Sequence, residues 1–240
     1  MKKILSALLV ALLISCEYKD LAPKICYLST EASYTSYLTY TYNDQNEIVT
    51  YTGPNIVSSV VTYEGGKVVS ELDNDIVLVT YTYDSHNRIS VWTETVQGYP
   101  LYNSQIKFFY NSFNQDTLQQ YFRYNTTTNE YYLRKYLRRD FTSPNNKNYS
   151  QIRTYDATNT LAYTEDFEWD NHPNPYLSNV FFQNSPPPTN NITRYTLTLP
   201  GYAPDVTDFI YTYNNHGFPV YKRTTFFNTL VSHYTYTNCQ

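Results

Sequence analysis

Residues 81–89 read Tyr-Thr-Tyr-Asp-Ser-His-Asn-Arg-Ile, and this stretch decides the fold. Tyrosine and threonine alternate with a period of two, which gives an extended strand one aromatic face and one hydroxylated face. Asp and Asn side chains bond the backbone two residues on and tolerate the left-handed conformation, so the centre of the stretch predicts a tight turn. The closing Ile begins a second strand. The stretch therefore predicts a β-hairpin.

The same unit recurs along the chain, with the pattern apolar, any residue, Tyr, Asp or Asn, two variable residues, Gly or Asn, any residue, apolar. Close copies are residues 40–48 and 211–219, and looser copies are 61–68, 108–114, 153–159 and 167–173. No sustained 3.6-residue apolar period follows residue 16, whereas two-residue alternation recurs throughout. The sequence predicts an all-β fold, an antiparallel meander of tyrosine-rich hairpins that forms a curved sheet or soluble barrel with little helix.

Composition supports a single β domain. The chain has 240 residues, of which 18% are aromatic and 29 are Tyr, so tyrosine must build much of the core. The 17 Lys and Arg residues against 21 Asp and Glu give a net charge of -4. Such a chain has no basic field of the kind that holds nucleic acid, and nucleic acid is not an expected partner.

The N-terminus carries an export signal. Lys2 and Lys3 precede an apolar run over residues 4–14 that is shorter than the roughly 20 residues needed to span a bilayer. Residues 13–16, Leu-Ile-Ser-Cys, resemble the lipobox of bacterial lipoproteins, which implies cleavage before Cys16 and acylation of its thiol. The alternative is an ordinary secretory signal with an incidental cysteine. We predict a signal peptide over 1–15, a lipidated tether over 16–25 and one β domain over 26–240.

The remaining cysteines form an even pair. If Cys16 is acylated, Cys26 and Cys239 are left in an oxidising compartment, where a disulfide joining the two ends of the domain is expected. Two separate buried thiols are the alternative.

The repeat resembles the Tyr-Asp repeats of Rhs-like proteins, and its combination with a lipobox is similar to Bacteroidetes lipoproteins of unknown function. Residues 169–176, Trp-Asp-Asn-His-Pro-Asn-Pro-Tyr, and residues 190–193, Asn-Asn-Ile-Thr, are similar to segments late in those lipoproteins. The resemblance implies a porin-like β fold and an outer-membrane address, on the periplasmic or cell-surface face, with the membrane as partner through the lipid. The chain departs from the usual unit by replacing Gly with Asn at 46, 87 and 159.

The second strand face argues against a barrel inside the bilayer. A transmembrane barrel needs an apolar outward face of about ten residues a strand. Here that face carries Thr39, Thr41, Thr80 and Thr82. We therefore expect a soluble sheet tethered by lipid.

Acidic residues on one strand are the first candidate site. Asp166, Glu168 and Asp170 alternate with Phe167 and Trp169, so three carboxylates fall on one face of a regular strand. Such a row could bind a cation or supply the acid and base of a glycoside hydrolase. A solvated strand face opposite an aromatic core face is the favoured interpretation. Trp169 with the three acids is the proposed ligand-binding set.

Other polar groups point to no chemistry. His86, His172 and His216 follow the Asp or Asn of a turn without metal-ligand spacing, so no metal is expected. Strand alternation places Arg134 and Arg138 on one face and Lys135 and Arg139 on the other, which favours a salt-linked strand over an anion site.

Three long loops are predicted, over residues 183–199, 143–148 and 171–175. Pro186, Pro187 and Pro188 cannot join a central strand, which places the first of these loops. Loops clustered on one rim could form a ligand mouth, although simple connectors are favoured.

No nucleophile elbow, free catalytic cysteine or glycine-rich phosphate loop is present in the sequence. We therefore predict a non-enzymatic lipoprotein with a binding or scaffolding role and no cofactor, whose partner is a glycan or an envelope protein. A glycan-binding module using exposed aromatics and a hydrolase with an acidic strand site are the alternatives.

Overall fold

The computed structural model describes residues 25–33, 36–144, 147–178, 187–226 and 229–239. The predicted signal peptide and Cys16 lie outside these residues. Within them, no helix is long and apolar enough to cross a membrane.

Sixteen strands are described. They are β1 (Tyr27–Ser33), β2 (Tyr37–Tyr42), β3 (Ile48–Thr52), β4 (Ser59–Glu64), β5 (Lys67–Asp73), β6 (Val77–Tyr83), β7 (Ile89–Val96), β8 (Ser104–Tyr110), β9 (Asp116–Asn125), β10 (Glu130–Phe141), β11 (Tyr149–Asp156), β12 (Leu161–Pro173), β13 (Asn190–Thr198), β14 (Asp205–Tyr213), β15 (Pro219–Thr224) and β16 (Leu230–Thr237). One 3₁₀ turn, Pro100–Tyr102, lies between β7 and β8.

The strands form one antiparallel sheet that curls into a nearly closed barrel. Each strand pairs with its neighbours in the chain except that β3 and β4 do not pair with each other. Because β1 also pairs with β16, β3 and β4 are the two edges of the sheet. The predicted all-β antiparallel meander is therefore confirmed.

Side chains close the seam between β3 and β4 where strand pairing stops. The Ser59 hydroxyl accepts a hydrogen bond from the Tyr51 amide at 2.6 Å and donates one to the Tyr51 carbonyl at 2.6 Å. The Tyr63 hydroxyl donates to the Ile48 carbonyl at 2.9 Å. A buried apolar cluster continues across the seam, so the two edges are packed together. Its members are Leu28, Tyr40, Ile48, Tyr51, Val61, Val68 and Tyr234.

The repeat turns share one hydrogen-bonding scheme. In five of them, which open with Asn43, Asp84, Asn111, Asp156 and Asn214, the Oδ1 accepts the amides two and four residues on, as Asp84 does from His86 and Arg88 at 2.8 and 2.9 Å. The fourth turn residue takes a positive φ, which is 61° at Asn87 and 86° at Gly217. Asn can replace Gly there because it also tolerates the left-handed region. This is the physical reason for the Asn variants of the unit.

Each repeat hairpin also contains a β-bulge opposite the unit's tyrosine. In β6–β7, Tyr83 pairs with Ile89 but Thr82 pairs with Val91, so one residue is left over. The same shift occurs in β2–β3, β4–β5, β8–β9 and β14–β15. The bulge shifts the alternation of inward and outward side chains by one residue. As a result, the third residue after the closing position of each of these units faces the barrel interior. These residues are Tyr51, Glu71, Trp92, Gln119 and Lys222.

Tyrosine hydroxyls tie successive units together. Tyr83 donates to the carbonyl of Val68 at 2.6 Å, and Val68 is the closing residue of the preceding unit. Tyr110 makes the same bond to Ile89 at 2.9 Å. These bonds use the polar end of a side chain whose ring is partly buried, which is how tyrosine serves in this core.

The ends of the chain meet in the sheet. Cys26 directly precedes β1 and Cys239 follows β16, and the two are joined in a disulfide with a Cα–Cα distance of 4.1 Å. The bond therefore links neighbouring strands whose residues lie 213 positions apart.

The loop predictions were partly wrong. Residues 183–186 lie outside the described residues, but Asn190–Thr198 forms β13, paired with both β12 and β14. All three prolines precede β13 in the sequence, so none of them removes a backbone hydrogen-bond donor from this strand. The predicted loop over 171–175 begins inside β12, which runs to Pro173. Of the predicted loop over 143–148, the described residues Ser143, Pro144, Lys147 and Asn148 lie outside the strands.

Candidate functional site

The acidic row on β12 does not converge on one site. Asp166 accepts a hydrogen bond from the Gln151 amide nitrogen at 2.7 Å, and exposed Glu168 lies 3.4 Å from Arg194. Pairing with β13 becomes irregular between Trp169 and Pro173, where three residues of β12 lie opposite one residue of β13, and Asp170 falls in this stretch. Neighbouring strands therefore satisfy each carboxylate separately.

Asp170 has a structural role at the end of β12. Its carboxylate accepts hydrogen bonds from the backbone amide of His172 at 2.9 Å and from the Asn191 amide group at 3.0 Å. The Tyr213 hydroxyl also donates to it. Asp170 thereby fixes the β12 end to β13 and β14.

Trp169 belongs to an aromatic cluster on the inner face of β12. Its indole N–H donates to the Tyr149 carbonyl at 2.8 Å, and its ring stacks on Phe167 with centroids 5.9 Å apart. The Tyr149 ring meets the indole edge-on at 5.2 Å. Trp169 is half-buried with its donor engaged, so packing accounts for its position.

Among the described residues, no group of three His, Cys, Asp or Glu side chains is placed to hold a metal ion. His172 instead stacks on Tyr213, with ring centroids 3.9 Å apart.

The barrel interior holds carboxylates that the sequence did not single out. Glu71 is only 7% exposed, and it accepts a hydrogen bond from the Tyr81 hydroxyl. The Tyr51 hydroxyl lies 3.1 Å from Glu71 Oε2 and 2.8 Å from Asp73 Oδ1. Burial raises the pKa of Glu71 to about 7, with the neighbouring Asp73 charge adding to the shift. One tyrosine hydroxyl therefore bridges two interior carboxyl groups.

A second interior pair has opposite charges. The Tyr176 hydroxyl donates to Glu31 at 2.7 Å, and burial raises the pKa of Glu31. Lys222 lies over the Phe209 ring at 4.0 Å, and burial lowers the pKa of its ammonium. The positive charge of Lys222 acts on Glu31 through space and partly offsets the effect of burial on that carboxyl.

Asp116 occupies a position where other units carry an aliphatic closing residue. It is 5% exposed, and it pairs with Arg139 and accepts a hydrogen bond from Gln119. Burial raises its pKa, while Arg139 and Gln119 oppose that shift. A cavity of about 90 Å³ adjoins this pair. That volume suits a few water molecules rather than a ligand of drug size.

A larger cavity of about 580 Å³ lies on the inner wall of β7–β10. Its volume falls within the roughly 300–1,000 Å³ typical of small-molecule sites. Half-buried Trp92 lines it, facing Tyr81 and Ile106 on the adjacent strands. The other lining residues are Glu94, Ser104, Gln105, Ile106, Tyr121, Phe122, Arg123, Arg134 and Lys135. We refer to it as the Trp92 cavity.

The prediction that Arg134 and Lys135 lie on opposite faces was wrong. The β9–β10 register shifts between Leu133 and Lys135, and Arg134 is the extra residue. A bulge places successive side chains off the strict alternation, and both residues line the Trp92 cavity. Arg138 faces away, against the rings of Tyr136 and Tyr155.

Sequence reasoning missed the Trp92 cavity because it assumed unbroken alternation in every strand. The signal that would have found Trp92 and Glu71 is their place in the repeat, three residues after the closing aliphatic. That place faces inward once the bulge is taken into account.

Solved structures resemble this chain, although no protein-family profile and no curated protein sequence matches it. A porin-like protein from Bacteroides uniformis is 14% identical with a TM-score of 0.59, over 90% of this chain and 97% of that one. A porin-like protein from Bacteroides vulgatus is 13% identical with a TM-score of 0.60, over 88% of this chain and 98% of that one. These likenesses confirm the expected porin-like β fold.

Proposed function

We propose that this chain is a non-enzymatic binding lipoprotein of the bacterial cell envelope, anchored to the outer membrane through Cys16, that holds its ligand inside the barrel. The observation that carries the proposal is the Trp92 cavity, which combines ligand-sized volume, an accessible indole and several polar groups. Pockets of that kind are the usual form of a small-molecule site.

The envelope address rests on two supports. The lipobox resemblance of residues 13–16 implies a lipid on Cys16. The porin-like neighbours come from Bacteroides, whose outer membrane is the address implied by the resemblance.

The outer face of the sheet supports a tether rather than insertion. Arg194 pairs with Asp208 at 2.6 Å on that face, and Arg153 pairs with Asp140 at 2.6 Å. Charged side chains facing lipid destabilise a transmembrane barrel. We infer that the barrel stands clear of the bilayer.

A binding role fits the acidic groups better than catalysis. The row on β12 is dispersed, and the Glu71 and Asp73 pair is tied up by tyrosine hydroxyls in the packed interior. A hydrolase needs two carboxyl groups facing one open cleft with room for substrate and water. Neither set of acids provides that arrangement.

A glycan array tests the function. The chain lacking residues 1–16 would be probed beside Trp92→Ala and, as a control, Tyr202→Ala, which removes a 74% exposed ring away from the cavity. We expect specific signals that persist in the Tyr202 variant and fall at least tenfold in the Trp92 variant. Signals unchanged in Trp92→Ala would contradict an interior site, and a blank array would exclude the glycans tested and favour an envelope protein as partner.

A further inference from the structure

The Trp92 cavity is positively charged inside a negatively charged protein. Three cationic side chains line it, Arg123, Arg134 and Lys135, against one carboxylate, Glu94. The chain as a whole carries a net charge of -4. This local excess of cations is the reverse of the overall balance.

The three cations are not neutralised by protein carboxylates. Across the described ranges, none of them makes an ion pair, whereas Arg88, Arg139, Arg153 and Arg194 all do. Arg123 donates one hydrogen bond to the Tyr102 carbonyl at 2.8 Å, and Lys135 lies 5.0 Å from the centre of the Tyr121 ring. Their charge therefore remains available to a ligand.

The bulge at Arg134 is what concentrates the charge. In a regular strand Arg134 would point away from Lys135, but the extra residue brings both to the cavity. Bulges commonly re-aim a side chain next to a functional site.

The remaining lining groups indicate what the anion is attached to. Trp92 offers an apolar ring face, and Glu94 and Ser104, on the same face of the sheet, offer hydrogen-bonding groups beside it. An aromatic anion would cover the indole but leave these polar groups unmatched, which costs binding energy. A sugar ring presents C–H groups to the indole and hydroxyls to the polar side chains.

We propose that the Trp92 cavity binds an acidic saccharide, with the sugar ring on Trp92 and its anionic group on Arg123, Arg134 and Lys135. Arginine forks match a carboxylate or a sulfate bidentately, so either anion satisfies the site. The inference deepens the proposed binding function and rests on it.

Titration calorimetry of the full chain in detergent micelles tests this proposal. The probes are trigalacturonate, its uncharged methyl ester and a sulfated disaccharide. We expect an acidic saccharide to bind at least tenfold more tightly than the ester, and the affinity to fall as salt rises, because the contact is ionic. Comparison of the carboxylated and sulfated probes identifies the anion.

The variants are chosen to spare the fold. Arg134 is exposed at a bulge, so Arg134→Gln with Lys135→Gln removes charge without opening the core. We expect a loss of at least tenfold in affinity for the acidic probe. Arg138→Gln, on the opposite face of the same strand, is the matched control and should bind as the wild type does.

The outcomes distinguish failure of the acidic-saccharide site from failure of the proposed binding function. Equal affinity for the acid and its ester, or unchanged binding in the double variant, would overturn the acidic-saccharide site while leaving a binding protein. Binding of neutral array glycans alone would do the same. Failure of all saccharides, on the array and in calorimetry, would overturn the proposed binding of a ligand inside the barrel together with its acidic-saccharide form.

Discussion

Ser59→Ala is expected to lower the melting temperature by roughly 5–10 °C, from a stability loss of about 2–4 kcal/mol. The Ser59 hydroxyl serves both the amide and the carbonyl of Tyr51, and Ser59 is 1% exposed. Alanine would remove the Ser59 hydroxyl bonds from two buried backbone groups of Tyr51, each loss costing about 1–3 kcal/mol. The loss falls where β3 and β4 meet without strand pairing, so we also expect faster amide exchange at Tyr51.

Ser58→Ala is the matched control for the seam. Ser58 is exposed and lies next to Ser59, so the same chemical change removes no buried partner. Thermal unfolding of the two variants in parallel, with hydrogen exchange at the Tyr51 amide, would show whether the Ser59 hydroxyl stabilises the seam. Equal melting temperatures for Ser59→Ala and Ser58→Ala would show that the seam does not hold the barrel closed.

Glu71→Gln is expected to stabilise the protein at pH 8 by roughly 2–3 kcal/mol and to change little at pH 4. The Glu71 carboxyl has a folded pKa of about 7, raised by burial from 4.5. The folded state holds the Glu71 proton more tightly than the unfolded state does. The contribution of protonated Glu71 to the free energy of unfolding is therefore fully present below about pH 4.5. It is lost as the pH rises to about 7, above which a buried charge must be tolerated.

The hydrogen bonds around Glu71 explain why glutamine fits. Glu71 accepts from Tyr81 with one oxygen, and its other oxygen lies 3.1 Å from the Tyr51 hydroxyl. The Tyr51 hydroxyl has one proton, so when it donates to Asp73 a protonated Glu71 can donate to the Tyr51 oxygen. Glutamine reproduces this pattern at every pH, since its amide both accepts and donates. Urea unfolding from pH 4 to 8 would measure the effect, with Glu168→Gln as the exposed control. A variant less stable than the wild type at pH 8 would contradict a Glu71 pKa raised by burial.

The repeat was readable from sequence because its determinants are local. Alternating Tyr and Thr, the turn Asp or Asn and the left-handed fourth residue all act within nine positions, as in residues 81–89. These features predicted the hairpins and the antiparallel sheet correctly. The pairing of β1 with β16 and the seam at β3 and β4 depend on contacts across the whole chain, which no local pattern shows.

The interior site escaped prediction for a different reason. A single extra residue reverses every inward and outward assignment that follows it in a strand. The irregular pairing between Trp169 and Pro173 separated Asp170 from the other acids, and the bulge at Arg134 joined two cations that alternation had kept apart. Trp169, prominent in sequence, is committed to packing, whereas Trp92 lines the cavity.

Ion quenching of tryptophan fluorescence tests the open, cationic interior site most directly, because it needs no ligand. The Trp169→Phe variant leaves Trp92 as the single indole, and Trp92→Phe leaves Trp169. With Arg123, Arg134 and Lys135 around Trp92, iodide is expected to quench its emission several-fold more efficiently than caesium, with weaker discrimination at Trp169. Equal quenching of Trp92 by both ions, or none by either, would contradict an accessible indole in a cationic cavity.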